Sequence, residues 1–170
     1  IMDGSRYEER VSKYHWQYGG VGFSHTREGY ENGENPFRMG TYQMIEATQN
    51  RTTTSDAVWI PEILVEGDYA VYVSYQTVPG SIPDATYTVK HGGTATTFCV
   101  NQQMGGGTWV YLGTFAFDDD RTQNYVSVAS VANGKEVVTS DAVKFGGGMG
   151  SVARYKQPDS FENVPSSKDL

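Results

Sequence analysis

Short runs of β-branched and aromatic residues recur about every 8–14 residues along this chain, with turn-forming residues between them. In the clearest run, residues 68–75, alternation places Tyr69, Val71, Val73 and Tyr75 on one face of a strand. No amphipathic helical pattern of ordinary length interrupts the series. The spacing predicts an all-β, jelly-roll-like antiparallel β-sandwich. Its candidate strands are 41–48, 57–61, 68–75, 86–91, 96–100, 108–117, 125–129, 135–139 and 142–145.

Turn chemistry between neighbouring runs predicts two hairpins. Gly92-Gly93 joins the candidate strands on either side of it, and Asn133-Gly134 does the same further along the chain. The glycine runs at 105–107 and 146–148 are predicted as tight turns. Neither ends in the Gly-Lys-Ser/Thr of a phosphate loop, and neither opens a helix.

The composition divides the chain into three parts. Residues 1–39 are predicted as an irregular, aromatic- and Gly-rich segment that packs on the sandwich. Helix formers at 7–16 suffice there for about two helical turns. Residues 40–155 form the β-sandwich domain, and residues 156–170, with little apolar content, are predicted as a loose tail.

The charge of the chain argues against two classes of partner. With 13 Lys and Arg against 20 Asp and Glu, the formal net charge is −7, whereas nucleic-acid binders present a basic face to phosphates. We therefore expect no nucleic-acid partner. We also expect no membrane insertion, because no run approaches the roughly 18 apolar residues of a spanning helix.

The lone cysteine and the first residues bear on the compartment of the protein. Cys99 lies in the apolar run 97–100, which predicts a buried, inert thiol and no internal disulfide. The opening residues Ile1 and Met2 are not followed by the charged and apolar regions of a signal peptide. We expect a piece of a longer secreted, periplasmic or cell-surface protein, and the alternative is that a signal was removed.

Five blocks of sequence, in order along the chain, carry a resemblance to a known family. They are residues 59–75, 87–93, 100–103, 107–115 and 139–146. Together they resemble the golvesin/xanthan-lyase carbohydrate-binding-like domain, an accessory module of large secreted Bacteroidales proteins labelled xanthan lyase or amidase-like. The resemblance covers residues 40–155 most strongly and implies a jelly-roll-like sandwich. It implies no activity, and residues 155–170 depart from the family pattern.

Residues with catalytic chemistry are scattered along the sequence. His15, His25 and His91 fall in three segments with no motif linking them, and no Gly-x-Ser-x-Gly elbow occurs. His91, next to Gly92-Gly93, is predicted as a turn residue. We therefore expect a non-catalytic domain.

An acidic turn at Asp118-Asp119-Asp120 is the one candidate for a metal site. Carboxylate oxygens are ligands that Ca²⁺ prefers, but the alternate spacing of a calcium loop is lacking, and a solvated hairpin turn is the competing interpretation. Asp141 either supplies another oxygen or caps a turn. No organic cofactor is expected.

Carbohydrate binding requires exposed aromatic rings and nearby amides. The candidate rings are Tyr72, Tyr75, Tyr87, Trp109 and Tyr111, and the candidate amides are Asn101, Gln102 and Gln103. The alternative is that these rings belong to the core. Trp59 and Trp109 are predicted as core, and the tyrosines as the better candidates for an exposed platform.

These observations favour a non-catalytic accessory module that binds a polysaccharide or a cell-envelope glycan and positions a catalytic neighbour. One alternative is a structural spacer that packs against a neighbouring domain of the same chain and has no ligand. Another is a polysaccharide lyase or amidase, which would require a cleft with converging ionisable side chains.

Overall fold

The computed structural model describes residues 6–23 and 40–146, and it forms eleven strands there without an α-helix. One 3₁₀ turn, Arg51–Thr53, follows the third strand. Within these ranges, no helix has the length and apolar character needed to cross a membrane. The strands are β1 Arg6–Arg10, β2 Gln17–Val21, β3 Thr41–Glu46, β4 Asp56–Ile60, β5 Gly67–Ser74, β6 Ala85–His91, β7 Thr94–Val100, β8 Val110–Phe117, β9 Tyr125–Ala129, β10 Val137–Ser140 and β11 Ala142–Phe145.

The strands form three sheets. The five-stranded sheet has the order β1-β4-β9-β6-β7, the β3 sheet has the order β10-β3-β2, and the β5 sheet has the order β11-β5-β8. Every pairing between these strands is antiparallel. The prediction of an all-β, antiparallel fold is therefore confirmed.

One hydrophobic core receives side chains from all three sheets. Ile45 comes from the β3 sheet, Val71 from the β5 sheet and Tyr87 from the five-stranded sheet, and each is at most 4% exposed. Strand β6 shows why the alternation matters, because Tyr87 and Val89 point inward while Thr88 stays partly exposed. Strand β5 differs, since its residues are buried on both faces.

Only one of the two predicted hairpins is present. Strands β6 and β7 pair from Ala85–Val100 to His91–Thr94 around a glycine turn, in which Gly92 and Gly93 have φ of +50° and +78°. The prediction of a hairpin around Asn133-Gly134 is wrong. Strand β9 pairs with β4 and β6, whereas β10 pairs with β3. The segment between β9 and β10 instead hydrogen-bonds to the end of β3, through Thr48 N to Ser130 O at 2.9 Å.

The prediction of helical turns within residues 7–16 is also wrong. Residues Arg6–Arg10 form strand β1 against β4, and Tyr7 contacts the Trp59 ring at 5.5 Å between centroids. Pairing with a sheet edge therefore overrides the helix propensity of Glu and Arg. Strands β1 and β2, of five residues each, therefore lie within the described part, residues 6–23, of the segment predicted as irregular. Residues 24–39, His25 and the predicted tail 156–170 lie outside the described residues.

The expectation of a buried thiol is wrong. Cys99 is exposed, because β7 directs Phe98 and Val100 toward the core and so turns residue 99 outward. We expect a maleimide to modify one thiol per chain in the native protein, at a rate close to that of a free cysteine. Mass spectrometry after brief labelling, with and without denaturant, measures this. Labelling only in denaturant would contradict the exposed position.

Candidate functional site

The residues predicted to bind a ligand separate into two groups on opposite sides of the β5 sheet. Tyr75 and Tyr87 lie on its inner side and are 2% and 0% exposed. Tyr72, Trp109 and Tyr111 lie together on its outer side. The expectation of an exposed tyrosine platform is therefore wrong for the inner pair, since their faces of β5 and β6 point into the core.

Gln102 links the inner residues into one buried network. Its amide is fully buried, donates to Thr139 O at 2.8 Å and to Tyr87 Oη at 3.2 Å, and accepts from Thr139 N at 2.9 Å. Burial raises the pKa of Tyr87. Because every polar atom of the Gln102 amide is used inside the protein, this side chain serves the fold.

The loop after β7 is organised around Tyr75. The Tyr75 hydroxyl donates to Met104 O at 2.7 Å and lies 3.2 Å from Asn101 O, and burial raises the pKa of this tyrosine. The Asn101 carboxamide accepts from Gln103 N at 2.9 Å. Gly105 and Gly107 have φ of +75° and +72°, which confirms the predicted tight turn. Asn101 is thus occupied in shaping the loop, and Gln103 is exposed beside it.

The outer residues form what we call the Tyr111 cluster: Tyr72, Trp109, Tyr111 and Lys144. The strand register places Lys144 opposite Tyr72, and Tyr72 opposite Tyr111. The two tyrosine rings lie 5.3 Å apart, and Lys144 Nζ lies 5.2 Å from Tyr72 and 5.8 Å from Trp109. Burial lowers the pKa of Lys144.

Exposure within the Tyr111 cluster is uneven. Tyr111 is 55% exposed, whereas Tyr72 is 7% and Lys144 is 8% exposed. Trp109 is half-buried and contacts the ring of Phe23, so its assignment to the core is wrong, while Trp59 lies in the core as predicted. Only one ring of the cluster therefore presents a broad surface, and the cluster as a whole is packed.

The acidic turn does not gather its carboxylates around one point. Asp118 Oδ1 accepts from Asp120 N and Asn124 Nδ2, both at 3.1 Å, and Asp120 Oδ1 accepts from Thr122 N at 2.9 Å. The hydrogen bonds from Thr122 lower the pKa of Asp120. In the described ranges, no three His, Cys, Asp or Glu side chains converge as metal ligands. The geometry thus gives no support to a calcium site at Asp118, Asp119 and Asp120.

Two further residues singled out in the sequence have local roles. Asp141 Oδ2 accepts from Phe23 N at 2.5 Å and from Gln76 Nε2 at 3.4 Å, which ties β2 to the β10–β11 junction. His91 ends β6 at the glycine turn, where its ring packs on Phe115 at 4.9 Å. The prediction of His91 as a residue at the turn is confirmed.

The described residues also form a groove that the sequence did not indicate. We call it the Tyr14 groove; its volume is about 870 Å³. It lies at one end of the β3 sheet, where antiparallel pairing brings the start of β2, the end of β3 and the start of β10 together. Its lining residues are Lys13, Tyr14, His15, Gln17, Ile45, Glu46, Ala47, Thr48, Gln49, Asn50, Gly134 and Lys135.

Buried serines fix the turn that carries Tyr14. The fully buried Ser55 donates its hydroxyl to Tyr14 O at 2.6 Å and accepts from Ser12 N at 3.1 Å. Ser130 in turn accepts from Ser55 N at 2.8 Å. Because Trp16 is buried immediately after the turn, Tyr14 is held at the rim with its ring 47% exposed.

Two other lining residues, Gln49 and Asn50, keep polar atoms available. Gln49 Nε2 donates to Asn133 O at 2.6 Å, which leaves Gln49 Oε1 as an acceptor. Asn50 Oδ1 caps the 3₁₀ turn by accepting from Thr52 N at 3.0 Å, which leaves the Asn50 amide nitrogen as a donor. Apolar Ile45 and Ala47 are buried beneath these groups. The groove thus combines an exposed ring, a donor and an acceptor.

Comparison with known proteins identifies a family and a solved structure that this chain resembles. The solved structure of a Paenibacillus xanthan lyase matches it with a TM-score of 0.61 and 22% sequence identity, over 85% of this chain and 12% of that protein. No curated protein sequence gives a match. The family model of the Golvesin C-terminal domain matches residues 30–147, more than half of the chain. The resemblance seen in the five sequence blocks is thereby confirmed, and this chain belongs to the Golvesin C-terminal domain family.

Proposed function

We propose that this chain is a non-catalytic accessory domain of a larger secreted bacterial protein, and that it binds a polysaccharide or cell-envelope glycan in the Tyr14 groove. In this role it holds a catalytic neighbour close to its substrate. The chain spans 12% of the xanthan lyase that it resembles, as expected for one part of a larger protein. Any lyase or amidase activity belongs, in this proposal, to another domain.

The single observation that carries the proposal is the exposed Tyr14 ring beside free amide atoms. A pyranose presents an apolar face that stacks on an aromatic ring, and its hydroxyls exchange hydrogen bonds with amides. Tyr14 is 47% exposed, and Gln49 and Asn50, each with one amide atom left available, line the same groove. A groove of about 870 Å³ has the size of ordinary ligand sites.

The proposal includes a jelly-roll-like sandwich and a passive surface. The shared core of the three antiparallel sheets supports the first part. In support of the second, the two described histidines lie at different places: His15 lines the groove, while His91 packs on Phe115 at the β6–β7 turn.

A structural spacer is the second candidate. It is favoured by the burial of Tyr72, Tyr75 and Tyr87, three of the five rings predicted to bind a ligand. Both candidates predict a stable, inactive domain, but only the first predicts retention on a polysaccharide. The purified chain is therefore screened by affinity electrophoresis in gels that contain soluble polysaccharides.

We expect Tyr14→Ala to weaken glycan binding roughly tenfold, because it removes the stacking surface. Tyr18→Ala is the matched control, since Tyr18 is 67% exposed on β2 and lies outside the groove lining. Dissociation constants from isothermal titration measure both variants. Equal losses for the two variants would contradict the groove as the site, and no retention of the parent chain on any polysaccharide would favour the spacer.

A further inference from the structure

We infer that the Tyr14 groove selects acidic saccharides, in which Lys13 and Lys135 receive the carboxylate of a uronic acid. The inference rests on the proposed glycan binding and names the class of sugar. It concerns the charge of the groove, whereas the proposed function rests on its ring and amides. The two can therefore fail separately.

The groove has a charge opposite to that of the chain. Lys13 and Lys135 line it together with His15, and Glu46 is the one carboxylate among the lining residues. The whole chain carries −7. A local excess of positive charge in an acidic protein attracts anionic ligands and favours them over neutral ones.

Neither lysine of the groove has a carboxylate partner. Throughout the described part of the chain, Lys13 and Lys135 lie beyond ion-pairing distance of every acidic side chain. The second cavity, about 490 Å³, shows the contrast. There Arg6 and Arg10 both pair with Glu8. Arg121, the third cation of that cavity, pairs with Glu62, so each of its arginines has a carboxylate partner, whereas the two lysines of the groove are available to a ligand.

The position of Lys13 suits a carboxylate carried by a stacked sugar. Its Nζ lies 5.2 Å from the centre of the Tyr14 ring, and Ser55 holds the backbone of Ser12 and Tyr14 on either side of it. A carboxylate on a pyranose in contact with Tyr14 is within reach of this ammonium, and the charge-assisted hydrogen bond formed there is stronger than one to a hydroxyl.

Lys135 belongs to a different stretch of the groove lining from Lys13. It is exposed and precedes β10, whose first residue, Val137, pairs with Glu46 at the end of β3. Glu46 is exposed at the same edge and repels an anionic ligand. Removal of this carboxylate is therefore expected to act in the opposite direction to removal of a lysine.

The test compares each of three acidic polymers, polygalacturonate, glucuronan and alginate, with its own carboxyl-reduced derivative. Reduction replaces the carboxylate by a primary alcohol and keeps the backbone. We expect stronger retention of the acidic form in affinity gels. Lys13→Gln and Lys135→Gln each weaken binding of the acidic form about two- to fivefold and leave the reduced form unchanged. Glu46→Gln strengthens binding of the acidic form by a similar factor.

Lys90→Gln is the matched control, because it makes the same charge change on the five-stranded sheet, where Lys90 Nζ lies 5.7 Å from Tyr125. An equal effect of Lys90→Gln would assign the result to net charge and overturn the inference. Equal retention of acidic and reduced polymers would also overturn it and leave glycan binding intact. If the chain binds neither form of any of the three polymers, the inference is overturned, and the wider polysaccharide screen decides the proposed function.

Discussion

Replacement of Phe117 by alanine is expected to lower the free energy of unfolding by about 3–5 kcal/mol. The ring is 2% exposed and lies where Tyr69, Phe145 and His91 meet, with ring centroids 5.7–6.1 Å away. Because these partners come from both the β5 sheet and the five-stranded sheet, no single strand can move to fill the cavity. Urea unfolding followed by tryptophan fluorescence measures the loss.

Tyr111→Ala provides the control for Phe117. Both residues are aromatic and lie on β8, but Tyr111 faces outward and is 55% exposed. Its loss removes a contact with Tyr72 and a hydrogen bond to Thr114, so we expect a cost of about 1 kcal/mol or less. Similar costs for the two variants would contradict the assignment of the two faces of β8.

The second large effect is expected for Gln102→Ala, with a loss of about 3 kcal/mol or more. The substitution leaves the Thr139 N–H and C=O groups buried without partners, and each such group costs roughly 1–3 kcal/mol. It also removes the hydrogen bond to Tyr87 Oη. Since a domain of this kind has a total free energy of unfolding of about 5–15 kcal/mol, the variant loses a large fraction of its stability.

Two companion variants separate the causes of that loss. Gln103→Ala changes the same residue type one position later, where the side chain is exposed, and we expect a change within about 0.5 kcal/mol. Tyr87→Phe removes only a hydroxyl and is expected to cost about 1 kcal/mol. A chemical denaturation curve for Gln102→Ala that coincides with that of Gln103→Ala would rule out the buried network as a source of stability.

Strands were predictable where alternation and turn chemistry agree. Residues 68–75 and the hairpin around Gly92-Gly93 were identified nearly to their ends, because both signals are local and arise from the chain itself. The prediction of a hairpin at Asn133-Gly134 was wrong, because β9 and β10 each pair with strands that are far away in sequence. A turn signal shows that the chain bends, whereas pairing depends on the competing strands.

The binding residues were harder to predict than the strands. Alternation shows that Tyr72 and Tyr75 lie on opposite faces of β5, but it does not show what covers each face. Both faces of β5 are buried. The aromatic rings were therefore found in the predicted strands, while their exposure was set by the packing of other sheets.

Glycine in β2 had a role that its sequence context did not reveal. Gly19 and Gly20 belong to the Gly-rich segment predicted as irregular, yet both residues lie inside a strand. A Cβ atom on Gly19 would lie 2.1 Å from the ring of Tyr42 on the paired strand β3. The glycine permits close approach of that ring, and only the paired strand supplies the reason for it.

The Tyr14 groove could not be predicted from any local pattern. Its lining residues come from three separate stretches of the chain, and sheet pairing alone brings them together. One signal was present: Tyr14 and its polar neighbours directly precede Trp16, which is buried. A polar and aromatic run that ends at a core anchor is typical of a loop held at a surface.

A single residue, Asp141, separates β10 from β11, so one nearly continuous strand belongs first to the β3 sheet and then to the β5 sheet. Tension applied to the chain beyond Phe145 must therefore shear β11 from β5 before it reaches β10. The pairing of β10 with β3, at whose end the Tyr14 groove lies, is shielded from that pull. In the proposed role as a tether, a pull from this side of the chain therefore acts on β11 before it acts on the Tyr14 groove.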